Sequence, residues 1–182
     1  MPSAAEQVSA AIVAAGGAIP FNQFMQLALY GDAGFYTNSG KAGRRGGDFI
    51  TSPEVGPLFG TVIARYLDEC WQKLGSPSKF DVVECGAGPG TLARSILAAK
   101  PRCLQALNYV AVEVSAAQRE LHPKGVESRE TMPDHAINGV ILANELLDNL
   151  PFRLFVFDGA WMEAFVARTT DGKFVEVLHK PT

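Results

Sequence analysis

The sequence predicts an α/β fold, in which a parallel sheet carries helices on both faces. From residue 80 onward, short apolar runs alternate with runs of helical periodicity, and this alternation is typical of a parallel sheet. The first apolar run enters a glycine-rich loop at residues 86–90, which opens a helix. Before residue 80 the apolar residues recur at helical spacing, so we expect a helical segment ahead of the sheet.

Two helices are predicted at the start of the chain. Residues 4–15 are rich in alanine and are followed by Gly16 and Gly17, and glycine is enriched just past helix ends. Residues 20–30 also place apolar side chains at helical spacing. Residues 31–48 contain six glycines, so we expect an irregular loop there, and loops of this length are usually functional.

The strongest helical pattern lies between residues 55 and 74. Residues 51–54 read T-S-P-E, which combines a capping hydroxyl, a proline and a carboxylate at a helix start. Apolar residues then follow the i, i+3, i+4, i+7 rule. Pro57 is tolerated only in the first turn of a helix, so we expect the helix to begin nearer Gly56 than Pro53.

The remaining elements alternate along the chain. We expect strands at residues 80–85, 107–114, 126–131, 139–143 and 152–157. We expect helices at residues 89–100 and 115–121, the second capped by Ser115, and a turn or one-turn helix at residues 145–150. Residues 161–168 and 173–179 flank Asp171-Gly172, which predicts a β-hairpin.

The glycine loop at residues 86–90 carries the clearest functional signal. Ligands of open α/β sheets bind at the carboxyl ends of the strands, and glycines let a ligand approach the backbone closely. A dinucleotide site prefers G-x-G-x-x-G/A, but Thr91 occupies the last position, and Pro89 lacks the N–H that a pyrophosphate would seek. The loop instead reads G-x-G-x-G, with Glu84 two residues before it. That form favours a Rossmann-like methyltransferase, because a carboxylate suits the cationic S-adenosyl-L-methionine, over a nicotinamide-dependent oxidoreductase.

A second carboxylate supports an adenosine site. Glu113 closes the run Tyr109–Glu113 within the predicted strand 107–114 and lies 23 residues beyond Gly90, and an acid at about this distance can accept the ribose hydroxyls. Adenine is expected near residues 130–132. The candidate cofactor contacts in this part of the chain are Glu84, Gly86, Ala87, Gly88, Gly90, Glu113, Val114 and Asn144.

Glu145 and Asp148 are the candidate catalytic residues. They follow the apolar strand 139–143, and if this segment is helical they are neighbours on one face. Two carboxylates there suit a cationic acceptor such as a guanidinium, which they could orient and from which they could accept the released proton. The alternative is that both are helix-start residues that favour the helix dipole.

Composition and charge argue against several classes of partner. The net charge is −3, so we expect no nucleic-acid partner. No apolar run approaches the roughly 20 residues that span a bilayer. The three cysteines form no C-x-x-C pair and the three histidines are scattered, so we expect no metal site. These observations fit a cytoplasmic protein best, and a processed organellar protein would look the same.

Taken together, the motifs resemble the MidA family of class I methyltransferases. The matching stretches are residues 28–36, 47–54, 57–60, 84–90 and 143–151. The segment G-D-F-I-T-S-P-E is the most distinctive, since generic methyltransferases lack it. The resemblance implies S-adenosyl-L-methionine as the cofactor, with Asp48, Thr51 and Pro53 beside it. It also implies a protein arginine as the acceptor, and a role in respiratory complex I assembly for mitochondrial members.

The resemblance also implies an organisation in three parts. We expect residues 1–78 to form a helical and loop segment that packs on the cofactor site. We expect residues 79–158 to form the Rossmann-like core, and residues 159–182 to form a hairpin that begins a further region. Family members are considerably longer, so we expect the C-terminal part of the fold to be missing. The unpaired sheet edge would then invite a homodimer. The alternative function is a catalytically incomplete, cofactor-binding assembly or interaction module.

Overall fold

The computed structural model describes residues 2–38 and 52–181. The helices are α1 Ala4–Ala14, α2 Phe21–Tyr30, α3 Phe35–Asn38, α4 Ser52–Val55, α5 Pro57–Lys73, α6 Thr91–Ala98 and α7 Ala116–Arg119. The strands are β1 Ala18–Pro20, β2 Phe80–Cys85, β3 Leu107–Val112, β4 Glu127–Arg129, β5 Gly139–Ala143, β6 Phe155–Phe157, β7 Trp161–Arg168 and β8 Phe174–His179. Short 3-10 helices cover Arg102–Gln105 and Leu147–Asn149.

The chain divides into two compact units. Lys41–Leu146 form the central unit, and Met1–Gly40 together with Leu147–Thr182 form the terminal unit. These bounds differ from the sequence-based segments 1–78, 79–158 and 159–182. The N-terminal residues cluster with the C-terminal hairpin because β1 pairs with β7.

A four-stranded parallel sheet forms the centre of the central unit. Its order is β4-β3-β2-β5, and every neighbouring pair is parallel. This confirms the parallel sheet that the alternation of strands and helices predicted. β2 is an inner strand, paired on one side with β3 and on the other with β5, so both neighbours end beside the glycine loop that follows β2.

The main core of the central unit lies between this sheet and helices α5 and α6. Phe80 and Val82 of β2 pack there with buried side chains of both helices, including Leu67 and Ile96. The two helices approach closely at Gly60, where a Cβ atom would collide with Ser95. The amphipathic pattern in the sequence identified the buried face of α5 only in part. Leu67 is buried, and Phe59, Ile63, Cys70 and Trp71 pack against the core. Leu58, Val62 and Tyr66, which belong to the same predicted stripe, are exposed.

Helix α5 begins after a break at Gly56. Gly56 has extended backbone and Pro57 lies in the first turn of α5, which confirms the predicted start of the helix. The S-P-E residues instead form the separate one-turn helix α4. The predicted helix 115–121 is shorter in the structure, and its Ser115 makes no side-chain capping bond.

The terminal unit is built on an antiparallel sheet. Strand β7 pairs with β1, β6 and β8, all antiparallel, and the pairing with β8 confirms the predicted hairpin. Helices α1 and α2 cover a second core that contains Val8, Ile12 and Ile19. No helix in the described ranges, 2–38 and 52–181, has the length and apolar character needed to cross a membrane.

The strand predicted at residues 152–157 belongs to the antiparallel sheet, whereas alternation alone had suggested the parallel one. Only Phe155–Phe157 are a strand, and they pair with β7. Arg153, just before it, donates two hydrogen bonds of 2.7 and 2.6 Å to the fully buried carboxylate of Glu163 on β7. The ion pair holds the segment around Arg153 against β7. Separating the two would leave the buried Glu163 carboxylate unpaired, which is strongly destabilising.

The carboxylate of Glu84 is buried in the main core at the end of β2. Only 4% of Glu84 is exposed, and Tyr109 of β3 donates a hydrogen bond of 2.8 Å to its Oε2. Burial raises the pKa of Glu84 to about 7, against the opposing effects of the Tyr109 hydrogen bond and the Arg94 charge. Glu84 is therefore a core residue as well as a candidate cofactor contact.

We expect the free energy of unfolding to fall as the pH rises from about 4.5 to about 7, because the folded state retains a proton that the unfolded state releases. Glu84→Gln should remove most of this dependence, since the neutral amide can still accept the bond from Tyr109. Over this pH range, the free energy of unfolding measured by urea denaturation should fall by at most a few kcal/mol more in the parent than in Glu84→Gln. Glu69→Gln, at an exposed position, serves as the control. If the free energy of unfolding depends on pH in the same way in the parent and in Glu84→Gln, Glu84 is not the cause of the dependence.

Candidate functional site

The glycine loop is attached to the end of β3. The backbone N–H groups of Gly86 and Ala87 both donate to the carbonyl of Val112, at 2.9 and 3.1 Å. Gly90 closes the turn by donating to the carbonyl of Ala87 at 2.9 Å. The loop conformation therefore depends on the neighbouring strand, and satisfying these donors there avoids the cost of leaving them unpaired.

Gly88 and Gly90 have different surroundings. Both have left-handed backbone, with φ of +53° and +75°, which glycine adopts at no steric cost. A Cβ atom at Gly88 would meet nothing within 4 Å, whereas one at Gly90 would lie 2.9 Å from Pro123 and 3.2 Å from the His122 ring. The loop thus has an open side at Gly88, where a ligand can approach the backbone, and a packed side at Gly90.

Glu113 lies directly beside the open side of the loop. Its Oε2 accepts a hydrogen bond of 3.0 Å from the N–H of Gly88, and its Oε1 accepts one of 2.8 Å from the N–H of Ser115. The structure therefore brings together the loop and the second carboxylate, which the sequence separates by more than twenty residues. Val114, the next residue, is exposed.

The charge at this position decides which kind of cofactor fits. The Glu113 carboxylate already accepts from the Gly88 N–H, and Pro89 has no N–H to offer. A pyrophosphate would meet a negative charge where it needs donors. A group that carries hydroxyls and a positive charge, such as the adenosyl sulfonium, has neither problem, so the residues present fit S-adenosyl-L-methionine.

The segment expected to contact adenine also lies near the end of β2. The Cys85 thiol is 3.3 Å from the sulfur of Met132, which brings residues 130–132 to the carboxyl end of the sheet. Val83, Val110 and Val112 form a buried apolar cluster, with Cys85 and Ile137 packed against it. Met132 is 42% exposed, so an aromatic base can reach an apolar side chain in this region.

Glu145 lies at the end of β5, next to the start of α4. The N–H of Ser52 is 3.4 Å from its Oε1, and the amide of Asn144 is 3.5 Å from the same oxygen. Pro53 is buried. The T-S-P-E segment and the motif after β5 are therefore adjacent, although Asp48 and Thr51 lie outside the described residues.

Glu145 and Asp148 do not share a helical face. Glu145 has left-handed backbone, with φ of +51°, and the 3-10 helix that contains Asp148 begins only at Leu147. The boundary between the two units also falls between these acids. The helical arrangement considered from the sequence is therefore wrong, because a left-handed residue ends helical geometry locally.

Two tyrosines hold the turn that carries Asp148. Tyr30 donates a hydrogen bond of 2.8 Å to the carbonyl of Asn149, and Tyr36 donates one of 2.7 Å to its side-chain oxygen. Their rings stack at 5.5 Å. Sequence reasoning gave these residues no role, although both lie in the stretch 28–36 that supported the family resemblance. Among the described residues, no cluster of three or more His, Cys, Asp or Glu side chains could hold a metal.

Known proteins match the chain over most of its length. Residues 62–182 match a family model described as "Putative S-adenosyl-L-methionine-dependent methyltransferase". The mitochondrial protein arginine methyltransferase NDUFAF7 homolog of Drosophila melanogaster is 34% identical over 93% of this chain and 46% of its own length. The human mitochondrial protein arginine methyltransferase NDUFAF7 is 37% identical over 44% of this chain and 18% of its own length.

A solved structure matches equally broadly. A Burkholderia thailandensis protein in complex with S-adenosyl-homocysteine superposes with a TM-score of 0.81 at 32% identity, over 98% of this chain and 50% of that one. The chain thus spans about half the length of the Drosophila melanogaster and Burkholderia thailandensis proteins. The family model covers well over half of the chain, and the chain therefore belongs to the MidA-like family of S-adenosyl-L-methionine-dependent methyltransferases.

Proposed function

We propose that this chain is the cofactor-binding portion of a methyltransferase that modifies arginine in a protein. The observation that carries the proposal is the Glu113 carboxylate, hydrogen-bonded to the N–H of Gly88 at the open side of the loop. Similarity to a protein bound to S-adenosyl-homocysteine and to protein arginine methyltransferases supports it.

The residues around the loop would hold S-adenosyl-L-methionine. Glu113 would accept the ribose hydroxyls, and the open backbone at Gly88 would allow close approach. Further contacts would come from Gly86, Ala87, Gly90, Val114 and Asn144, with Asp48, Thr51, Pro53 and Glu84 around them. When bound, the cofactor supplies a sulfonium methyl group to a nucleophilic nitrogen.

Glu145 and Asp148 would act on the acceptor. Both side chains are exposed, so an incoming cationic group can reach them. A carboxylate lowers the cost of desolvating a guanidinium by pairing with it, and can accept the proton released on methylation.

The cellular role follows the same reasoning. The mitochondrial relatives support a protein substrate and, for a eukaryotic source, a mitochondrial location. The mitochondrial matrix and a role in respiratory complex I assembly are what the resemblance to the MidA family implies. For a bacterial source the cytoplasm is the expected location. The second candidate function is a cofactor-binding assembly or interaction module without transfer activity.

A homodimer through the sheet edge is part of the proposal. Among the described strands, β5 pairs only with β2, so no described strand lies beside its second edge. Its Ile141 is 54% exposed. Unpaired edges with apolar side chains favour pairing with another chain.

Glu113→Ala should weaken the binding of S-adenosyl-homocysteine about 100-fold, because two hydrogen bonds to a charged acceptor are lost. Isothermal titration calorimetry measures the effect, with the exposed Glu120→Ala as control. NADH should bind neither variant. Unchanged affinity in Glu113→Ala, or a parent protein that binds NADH and ignores S-adenosyl-homocysteine, contradicts the proposal.

Glu145→Gln and Asp148→Asn should each lower methyl transfer at least about 100-fold, because a positioned proton acceptor contributes that much or more. Affinity for S-adenosyl-homocysteine should stay within about threefold, since neither side chain is assigned to the cofactor. The assay follows labelled methyl from S-adenosyl-L-methionine into arginine-containing peptides, with the exposed Asp134→Asn as control. A parent protein that binds the cofactor and transfers nothing favours the interaction module instead.

Light scattering after size exclusion should give twice the chain mass of 19.5 kDa for the parent protein. Ile141→Lys should be monomeric, because a lysine on an edge strand disfavours pairing. Val13→Lys, at an exposed apolar position in the terminal unit, is the matched control and should remain dimeric. A parent that is monomeric at every concentration excludes the dimer.

A further inference from the structure

We propose that His122 and Arg94 are positioning residues that hold the glycine loop from its packed side and thereby set the affinity for the cofactor. The link to affinity rests on the proposed function, whereas the contacts themselves do not. Neither residue was a candidate from the sequence, because both lie outside the loop and outside the carboxylate motifs.

Two carbonyl groups of the loop accept hydrogen bonds from these side chains. The Nε2 atom of His122 is 2.9 Å from the carbonyl oxygen of Gly88. One guanidinium nitrogen of Arg94 donates to the carbonyl of Pro89 at 2.7 Å. The other donates to the carbonyl of Leu121 at 2.8 Å. Arg94 therefore joins the loop to the segment 121–123, and His122 of that segment bonds back to the loop.

The chemistry of the contact defines the tautomer of His122. A carbonyl oxygen can only accept, so Nε2 must carry the hydrogen. The Nδ1 atom is buried and has no hydrogen-bond partner within the described part of the chain. An apolar side chain of similar shape would avoid that unsatisfied atom. Packing alone therefore does not account for a histidine here, whereas donation to Gly88 does.

These contacts restrain Gly88 through both of its backbone polar groups. Its N–H donates to Glu113 and its carbonyl accepts from His122. Without a side chain, Gly88 would otherwise have wide conformational freedom. Restraining it before the ligand arrives lowers the entropy lost on binding. It also fixes the direction of the N–H that holds the Glu113 carboxylate in place.

The first test measures the loop without any ligand. Amide hydrogen exchange by NMR should be about tenfold faster at Gly88 and Gly90 in His122→Ala, as expected for the loss of one hydrogen bond. His122→Gln should stay within about threefold of the parent, because its amide can donate from a similar position. His135→Ala, an exposed histidine, is the matched control. Unchanged exchange in His122→Ala overturns the proposed restraint.

The second test measures cofactor affinity by calorimetry with S-adenosyl-homocysteine. His122→Ala, which has no side-chain donor, should bind S-adenosyl-homocysteine about tenfold more weakly than the parent. His122→Gln retains a donor and should bind within about threefold of the parent. Arg94→Lys should also weaken binding, because a lysine cannot bond both carbonyls in fork geometry, and the exposed Arg65→Lys is its control. If His122→Ala shows faster amide exchange in the loop but unchanged affinity for S-adenosyl-homocysteine, the positioning role of His122 is overturned.

The two measurements separate this proposal from the proposed function. A parent protein that does not bind S-adenosyl-homocysteine contradicts the proposed function, and the exchange experiment then still decides whether the loop is restrained. If His122→Ala fails to fold, His122→Gln and Arg94→Lys carry the same comparison. Equal exchange and equal affinity in Arg94→Lys and the parent would refute the part assigned to Arg94.

Discussion

The central unit depends on how the end of β3 holds the glycine loop. The carbonyl of Val112 accepts from two loop N–H groups, and the carboxylate of Glu113 accepts from a third, that of Gly88. Two consecutive residues thus satisfy most of the inward-facing donors of the loop. Because the two strands are adjacent and parallel, their carboxyl ends meet at one edge, and the loop and the acid cannot be separated without breaking the sheet.

Two glutamates near this loop have different surroundings. Glu84 is buried beside Tyr109, and burial raises its pKa to about 7. Glu113 is only half-buried, and its oxygens accept hydrogen bonds from the backbone N–H groups of Gly88 and Ser115. One acid therefore belongs to the hydrophobic core, while the other lies at the open side of the loop.

The terminal unit is organised by polar contacts between segments that are distant in sequence. Arg153 pairs with the buried Glu163, and Tyr30 and Tyr36 both bond to Asn149. These contacts attach residues 147–157 to the antiparallel sheet and to α2 and α3. Buried pairs of this kind contribute more to a single arrangement than to net stability, and here they hold the turn that carries Asp148.

The sequence by itself determined the parallel sheet, the breaks at Gly56 and at the glycine loop, and the position of Glu113 after the strand that follows the loop, because strand alternation, helix periodicity and glycine geometry act over a few residues. Only the tertiary structure decided that β6 joins β7 and that Glu145 and Asp148 do not share a helix. It also decided that His122 and Arg94 contact the glycine loop and that Tyr30 and Tyr36 contact Asn149. Those outcomes depend on hydrogen bonds and ion pairs between side chains brought together by folding, and local sequence patterns contain no record of such distances.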